Sequence, residues 1–261
     1  MADFADLGKR TASAIVLCCL GLTAILLGGT AFVVFACAWS LAMVFELLAL
    51  SSPGYPFLRR LALSVVEASV CAICIYWIAD RAAEISFAAA STALCAMLIS
   101  NGRIKFALFA VGVLLACSAF ADLRDSSGAA AAIWFVLVVT ASDTAGYFCG
   151  KIFRGPAIAP ALSPGKRWTG AVGGLAAATA VGFGFSGGLG IWAAWASPLL
   201  AVAAQAGDMA ESWLKRQVGV KDSSTAIPGH GGFFDRFDSF VGAGILLWII
   251  GSLDLAPVDA H

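Results

Sequence analysis

Nine long apolar runs, separated by short polar or glycine-containing segments, dominate the sequence. Each run is close to the ~20 apolar residues that an α-helix needs to cross the hydrocarbon core of a bilayer. The connections between the runs are too short to form a separate soluble domain. The runs therefore predict nine transmembrane helices, with approximate bounds 12–29, 31–50, 61–79, 85–100, 104–121, 129–149, 170–187, 189–206 and 237–253.

Composition agrees with a chain whose surroundings are mainly lipid. Of the 261 residues, 61% are hydrophobic and 12% are charged, against about 25% charged residues in an average soluble domain. Mean hydropathy is +0.91. We expect an all-α polytopic membrane protein with two regions, residues 1–125 with about five spans and residues 126–261 with about four spans and two loops, 150–169 and 207–236. The formal net charge of zero gives no support for a nucleic-acid partner.

The basic residues predict the orientation of the chain, because Lys and Arg concentrate on the cytoplasmic side of a membrane. If the N-terminus is cytoplasmic and the spans alternate, only Arg81 and Arg124 of the 16 basic residues lie outside. The others lie in inner segments: Lys9, Arg10, Arg59, Arg60, Arg103, Lys105, Lys151, Arg154, Lys166, Arg167, Lys215, Arg216, Lys221 and Arg236. This division favours nine spans, with the N-terminus cytoplasmic and the C-terminus outside.

Several carboxylates gather on the same predicted inner side, among these basic residues. They are Asp143, Asp208, Glu211, Asp222, Asp235 and Asp238. Carboxylates interleaved with Lys and Arg at the inner ends of helices indicate an ion and phosphate site. Glu46 and Glu67 instead lie within apolar runs, where an ionisable residue is a candidate for function. A neutral or locally paired structural role fits these two residues equally well.

The segment from Gly207 to Ser239 carries most of this chemistry. If the eighth span continues as a helix, one helix face carries Asp208, Glu211, Ser212 and Lys215. Asp235 and Asp238 share a face at the start of the ninth span, and the glycines of 228–232 allow backbone N–H groups to approach an anion. Carboxylates from two helices suit Mg²⁺. The pattern favours transfer of a phosphoryl or nucleotidyl group over a solvated loop that only follows the charge bias.

Residues 212–238, the signature segment, read Ser-x-Leu-Lys-Arg-x4-Lys-Asp-x-Ser-x2-Ile-Pro-x-His-Gly-Gly-Phe-x-Asp-Arg-Phe-Asp. This pattern resembles that of the phosphatidate cytidylyltransferase (CDP-diacylglycerol synthase) family. Weaker similarity extends to 142–147, 150–151, 162–170, Lys9-Arg10 and 46–48. The chain departs from the usual family pattern at Gly165, where a Lys is common, and at Thr169, where a Glu is common.

The resemblance implies an integral-membrane transferase that makes CDP-diacylglycerol and pyrophosphate from CTP and phosphatidate with Mg²⁺, in one-metal or two-metal form. Asp208 and Asp235 are the expected metal ligands. The other expected catalytic residues are Lys215, Arg216, Lys221, Asp222, His230, Arg236 and Asp238. His230 is expected to donate a hydrogen bond to phosphate rather than to act as a base. Expected substrate-binding residues are Asp143, Ser163, Lys166, Arg167, Ser212, Gly231 and Gly232.

Two other functions and several further properties remain open at this stage. A CTP-dependent enzyme acting on another membrane lipid would share the same residue chemistry, and nine spans with charges near one face also suit a transporter. We expect the protein in a bacterial inner membrane, with its active site on the cytoplasmic side. The sequence is compatible with a homodimer.

Overall fold

A computed structural model describes residues 4–224, 226–227 and 231–253, with side chains from residue 11 onwards apart from Ala12. Within these ranges the chain forms eight α-helices and one two-stranded sheet. The helices are α1 (Phe4–Leu27), α2 (Gly29–Ser51), α3 (Phe57–Trp77), α4 (Arg81–Met97), α5 (Arg103–Phe153), α6 (Trp168–Leu189), α7 (Ile191–Val218) and α8 (Phe234–Ser252). They overlap all nine predicted spans.

Helix α5 contains two predicted spans, 104–121 and 129–149, and is a helical hairpin rather than one rod. Gly128, at φ 78° and ψ −176°, interrupts its helical backbone. The rings of Phe120 and Phe135 lie only 5.1 Å apart, whereas 15 residues of straight helix span about 22 Å. The chain therefore turns back at Gly128, next to the predicted boundary between the two regions.

Within the predicted loop 150–169 the structure contains a small antiparallel sheet. Strand β1 (Ala157–Ala159) pairs with β2 (Ser163–Arg167). Strands of three and five residues have no apolar run or alternation long enough to be predicted from sequence. The hairpin matters because β2 carries Lys166 and Arg167 directly into the start of α6.

The hydrophobic core lies where α2, α5, α7 and α8 meet. Large buried side chains from these helices include Met43, Phe106, Trp134, Leu200 and Phe234. Apolar side chains on the outward faces of the helices remain exposed, as is typical of helices in lipid. By length and composition, three of the described helices are long and apolar enough to cross a membrane, α2, α5 and α6. The architecture is that of a mainly α-helical membrane protein.

Candidate active site

One large cavity, of about 850 Å³, is lined by residues of the C-terminal region. The second half of α5, the β-hairpin, and helices α6, α7 and α8 form its walls. Glycines bring the first two helices of this wall together, because a methyl group on Gly170 would overlap the backbone oxygen of Gly146. The cavity therefore draws on every element of the C-terminal region.

Five basic side chains line this cavity: Lys151, Arg154, Lys166, Arg167 and Arg236. On α5 the spacing of Asp143, Tyr147 and Lys151 places them on one helix face, and Arg154 follows directly after the end of the helix. The hydroxyl of Tyr147 lies 3.3 Å from Nζ of Lys151. Arg167 donates to the backbone oxygen of Gly155 at 2.7 Å, which fixes its position on the hairpin. A cavity with five cations suits a ligand that carries several phosphates.

Three carboxylates come together beside this basic wall. Oxygen atoms of Asp208, Glu211 and Asp238 all lie within 4.8 Å of one another, and Glu211 and Asp238 are buried. Lys166 pairs with Asp208 at 2.7 Å. The Oε1 atom of Glu211 is buried and has no hydrogen-bond partner among the described residues. We call this group the carboxylate cluster.

The carboxylate cluster fits a hard divalent cation. Three carboxylates lie close enough to share one ion, one of their oxygens is buried without a hydrogen-bond partner among the described residues, and oxygen ligands of this kind are what Mg²⁺ binds. Asp208, Glu211 and Asp238 are therefore the residues that would hold the metal. The structure brings Asp238 and Glu211 beside Asp208, while Asp235 as a ligand stays a prediction.

Outside the predicted spans 189–206 and 237–253, Lys215 links Glu211 on α7 to Asp235 on α8. Its Nζ lies 2.5 Å from Glu211 and 2.7 Å from Asp235. Burial and a hydrogen bond with Asp235 raise the pKa of Glu211 to about 8. Burial also disfavours ionisation of Asp235, but hydrogen bonds from Glu211, Lys215 and two backbone N–H groups outweigh it and lower its pKa to about 2. Of the two carboxyl groups that Lys215 contacts, Asp235 is therefore the firmly ionised one.

The other oxygen of Asp235 holds the signature segment. Asp235 Oδ2 accepts hydrogen bonds from the backbone N–H groups of Ser223 and Gly232, both at 2.8 Å, and lies 3.0 Å from the Ser223 hydroxyl. A methyl group on Gly232 would overlap the Ser223 hydroxyl and the Glu46 carboxylate. Only glycine fits at position 232.

Glu46 on α2, in the N-terminal half of the chain, also holds the signature segment by hydrogen bonds. Its buried carboxylate accepts hydrogen bonds from the hydroxyls of Ser223 and Ser224 at 2.8 and 2.6 Å. It also accepts from the backbone N–H groups of Phe233 and Phe234, each at 2.8 Å. The carboxylate therefore ties Ser223 and Ser224 to the start of α8. The sequence offered one signal, an acidic residue within an apolar run.

Some of the site residues predicted from sequence line the cavity and others do not. The cavity is lined by Asp143, Lys166, Arg167, Asp208, Asp235, Arg236 and Asp238. The predicted residues that do not line it are Ser163, Ser212, Lys215, Arg216, Lys221, Asp222, Gly231 and Gly232. Arg216 instead contacts the backbone oxygens of Leu162 and Val220. His230 lies outside the described residues.

The cavity also contains polar residues that the sequence analysis did not assign to the site. They are Ser142, Tyr147, Lys151, Arg154, Gln205 and Ser239. Gln205 Nε2 lies 3.4 Å from the Ser142 hydroxyl and 3.3 Å from the backbone oxygen of Ala171, which joins α7 to α5 and α6. Helical spacing from Asp143 and Asp208 would have suggested Tyr147, Lys151 and Gln205.

Comparison with known proteins supports the same interpretation. A family model described as "Cytidylyltransferase family" matches residues 8–253. The chain is 34% identical over 264 residues to a phosphatidate cytidylyltransferase of Brucella suis biovar 1, covering 97% of this chain and 96% of that protein. It is 31% identical over 248 residues to one of Staphylococcus haemolyticus, covering 89% and 94%. One of Helicobacter pylori (strain J99) is 44% identical over 128 residues, 47% of each chain. The resemblance seen in the signature segment is confirmed, and the chain belongs to the cytidylyltransferase family.

Proposed function

We propose that this protein transfers the cytidylyl group of CTP to phosphatidate, forming CDP-diacylglycerol and pyrophosphate. The observation that carries the proposal is one cavity in which five basic side chains face a carboxylate cluster. Relatives that match along most of their length are phosphatidate cytidylyltransferases. The cavity lies among apolar helices, so a lipid substrate reaches it without leaving the membrane.

The reaction needs no activated protein nucleophile. The phosphate of phosphatidate is a monoester whose second pKa is near 6, so it is largely ionised at neutral pH. One of its oxygens attacks the α-phosphorus of CTP, and the bond between that phosphorus and the bridging oxygen of the β-phosphate breaks. The electron pair leaves with pyrophosphate. The protein's task is to position two polyanions and stabilise the charge on the leaving group.

The side chains divide this task. The basic wall of Lys151, Arg154, Lys166, Arg167 and Arg236 binds the triphosphate and stabilises the departing pyrophosphate. The carboxylate cluster would hold Mg²⁺, which supplies charge neutralisation to the phosphate oxygens when bound. Lys215 and Asp235 fix the two helices that carry the cluster.

The proposal includes the topology. Nine crossings with a cytoplasmic N-terminus place the cavity at the cytoplasmic end of the bundle, in a bacterial inner membrane. Supporting this orientation, the basic residues of the cavity lie at the end opposite Arg81 and Arg124 in the predicted alternation. CTP, a cytoplasmic metabolite in that setting, then enters from the aqueous side.

Purified protein in mixed micelles with radiolabelled CTP and Mg²⁺ tests the acceptor lipid. We expect label in the lipid fraction with phosphatidate as acceptor and none with diacylglycerol. Label transferred with diacylglycerol alone would instead indicate a CTP-dependent enzyme acting on another lipid. No labelled lipid with any acceptor, from protein that is folded and monodisperse, would contradict the proposal.

A further inference from the structure

A second, smaller cavity lies behind the carboxylate cluster. It has a volume of about 210 Å³ and is enclosed by the first half of α5 together with α7 and α8. Its wall is mainly apolar, and its larger aliphatic and aromatic side chains are Leu108, Phe109, Phe234, Val241 and Ile245. Leu108 is 69% exposed, so this cavity opens on the outer face of the bundle, where lipid lies.

The two cavities meet at the carboxylate cluster. Asp238 lines both of them, Asp208 lines the large one, and Glu211 lines the small one. The unpartnered Oε1 of Glu211 is therefore a buried polar atom beside an apolar cavity. A buried polar atom without a partner costs free energy in an apolar void. A site for an amphiphile, by contrast, needs polar and apolar groups side by side.

A basic residue stands next to the small cavity on the same helix face. Lys105 precedes Leu108, Phe109 and Gly112 by three, four and seven residues, the spacing of neighbours along one face of α5. Its ammonium lies 5.6 Å from the centre of the Trp213 ring on α7. A cation and an aromatic ring thus lie close to the α5 and α7 residues that line the apolar cavity.

We propose that the small cavity receives the glycerol and proximal acyl region of phosphatidate, and that Lys105 contacts the lipid phosphate as it approaches the carboxylate cluster. This inference rests on the proposed function. Charge complementarity selects the occupant, because an apolar wall with a basic residue nearby and a cation-binding cluster in contact with it matches an anionic phospholipid. The nucleotide, with its triphosphate, matches the basic wall of the large cavity instead.

The arrangement also agrees with the geometry of the reaction. In phosphoryl-group chemistry the attacking and leaving oxygens lie roughly in line on opposite sides of the phosphorus. The basic residues that stabilise pyrophosphate line the large cavity. A lipid arriving through the small cavity reaches the carboxylate cluster from the other side, so its phosphate faces away from the leaving group.

Two substitutions test the site kinetically. Leu108→Trp fills the cavity from an exposed position that tolerates bulk, and Lys105→Gln removes the cation. Each is expected to raise KM for phosphatidate about tenfold with the KM for CTP unchanged. Leu94→Trp is the matched control, because Leu94 is 64% exposed on α4, which lines neither cavity. Unchanged phosphatidate kinetics in both variants would overturn the site and leave the proposed function standing, whereas a wild-type protein that makes no CDP-lipid would overturn the function itself.

A binding measurement covers the case in which the variants fold poorly. The wild-type protein and Trp213→Phe are titrated with brominated phosphatidate, and brominated phosphatidylcholine serves as the control lipid. Bromine quenches a nearby indole, so the Trp213 contribution, taken as the difference between the two proteins, should be quenched by phosphatidate at lower lipid content than by phosphatidylcholine. Equal quenching by both lipids would show only bulk lipid contact and overturn the inference.

Discussion

The carboxylate of Glu46 lies 2.8 Å from the hydroxyl of Ser223, a residue 177 positions further along the chain. That hydroxyl in turn lies 3.0 Å from Asp235, whose second oxygen pairs with Lys215. A residue of the N-terminal half is thus connected, contact by contact, to the ion pair between α7 and α8. The N-terminal helices therefore help to shape the site rather than only to anchor it.

Glu46→Gln should lower activity and stability together. A carboxylate accepts from all four donors around it, whereas the amide nitrogen of glutamine would face at least one N–H or hydroxyl group as a second donor. We expect a loss of about 1–3 kcal/mol in the free energy of unfolding and a clear fall in kcat. Thermal unfolding in detergent and initial rates provide the two measurements.

Glu67→Gln is the matched control for this change. Glu67 is equally buried on α3, but it contacts only the side chains of Ser91, at 3.5 Å, and Cys95 among the described residues, instead of four close hydrogen-bond donors. We expect near-wild-type activity and stability. An equal loss in both variants would mean that the effect comes from burial of a polar group and not from the contacts of Glu46.

The roles of the acidic residues separate by their dependence on metal. Asp208→Asn and Asp238→Asn should each raise the Mg²⁺ concentration for half-maximal rate at least tenfold, because they weaken the carboxylate cluster. Asp235→Asn should reduce kcat on the order of 10²-fold with little change in that concentration, because Asp235 holds Lys215 and Gly232. Asp125→Asn, at an exposed position on α5, serves as the control.

A rescue of Asp235→Asn by excess Mg²⁺ would contradict the assignment of Asp235 to a role other than metal binding. That result would place Asp235 among the metal ligands, as the sequence predicted. Initial rates across a Mg²⁺ titration for all four variants decide between the two roles.

Gly232→Ala should inactivate the enzyme, because the added methyl group overlaps Ser223 and Glu46. The expected result is a large loss of kcat together with faster proteolysis in the segment between α7 and α8. Gly184→Ala is the control, since a methyl group there meets no atom within 4 Å. An active Gly232→Ala protein would show that the close approach of Glu46 to this segment is not required.

Lys151 tests the part of the basic wall that the sequence did not assign. Lys151→Gln should raise KM for CTP about tenfold, which corresponds to about 1.4 kcal/mol, with a smaller effect on phosphatidate. Arg59→Gln, an exposed cation outside the cavity, should leave both constants unchanged. Equal effects of the two variants would indicate a general electrostatic attraction of CTP instead of a contact within the cavity.

Much of the architecture could be predicted because lipid imposes a simple pattern. Apolar runs of fixed length predicted spans that the observed helices overlap. The site was harder, because its composition depends on how helices rotate against each other. Asp235 and Asp238 share a helix face, yet one pairs with Lys215 while the other meets Asp208, and only the packing of α7 on α8 decides which. Spacing along a single helix carries no such information, and it could not reveal that Glu46 reaches the signature segment.

In the proposed reaction the lipid phosphate attacks the α-phosphorus of CTP directly. Incubating the protein with Mg²⁺ and ³²P-labelled phosphatidate, together with CTP labelled at either the α or the γ position, tests it most directly. Direct attack predicts a lipid product that retains the phosphatidate label and gains the α label, while the γ label appears only in pyrophosphate. Lipid that gains the γ label, or that loses its own phosphorus, would contradict it.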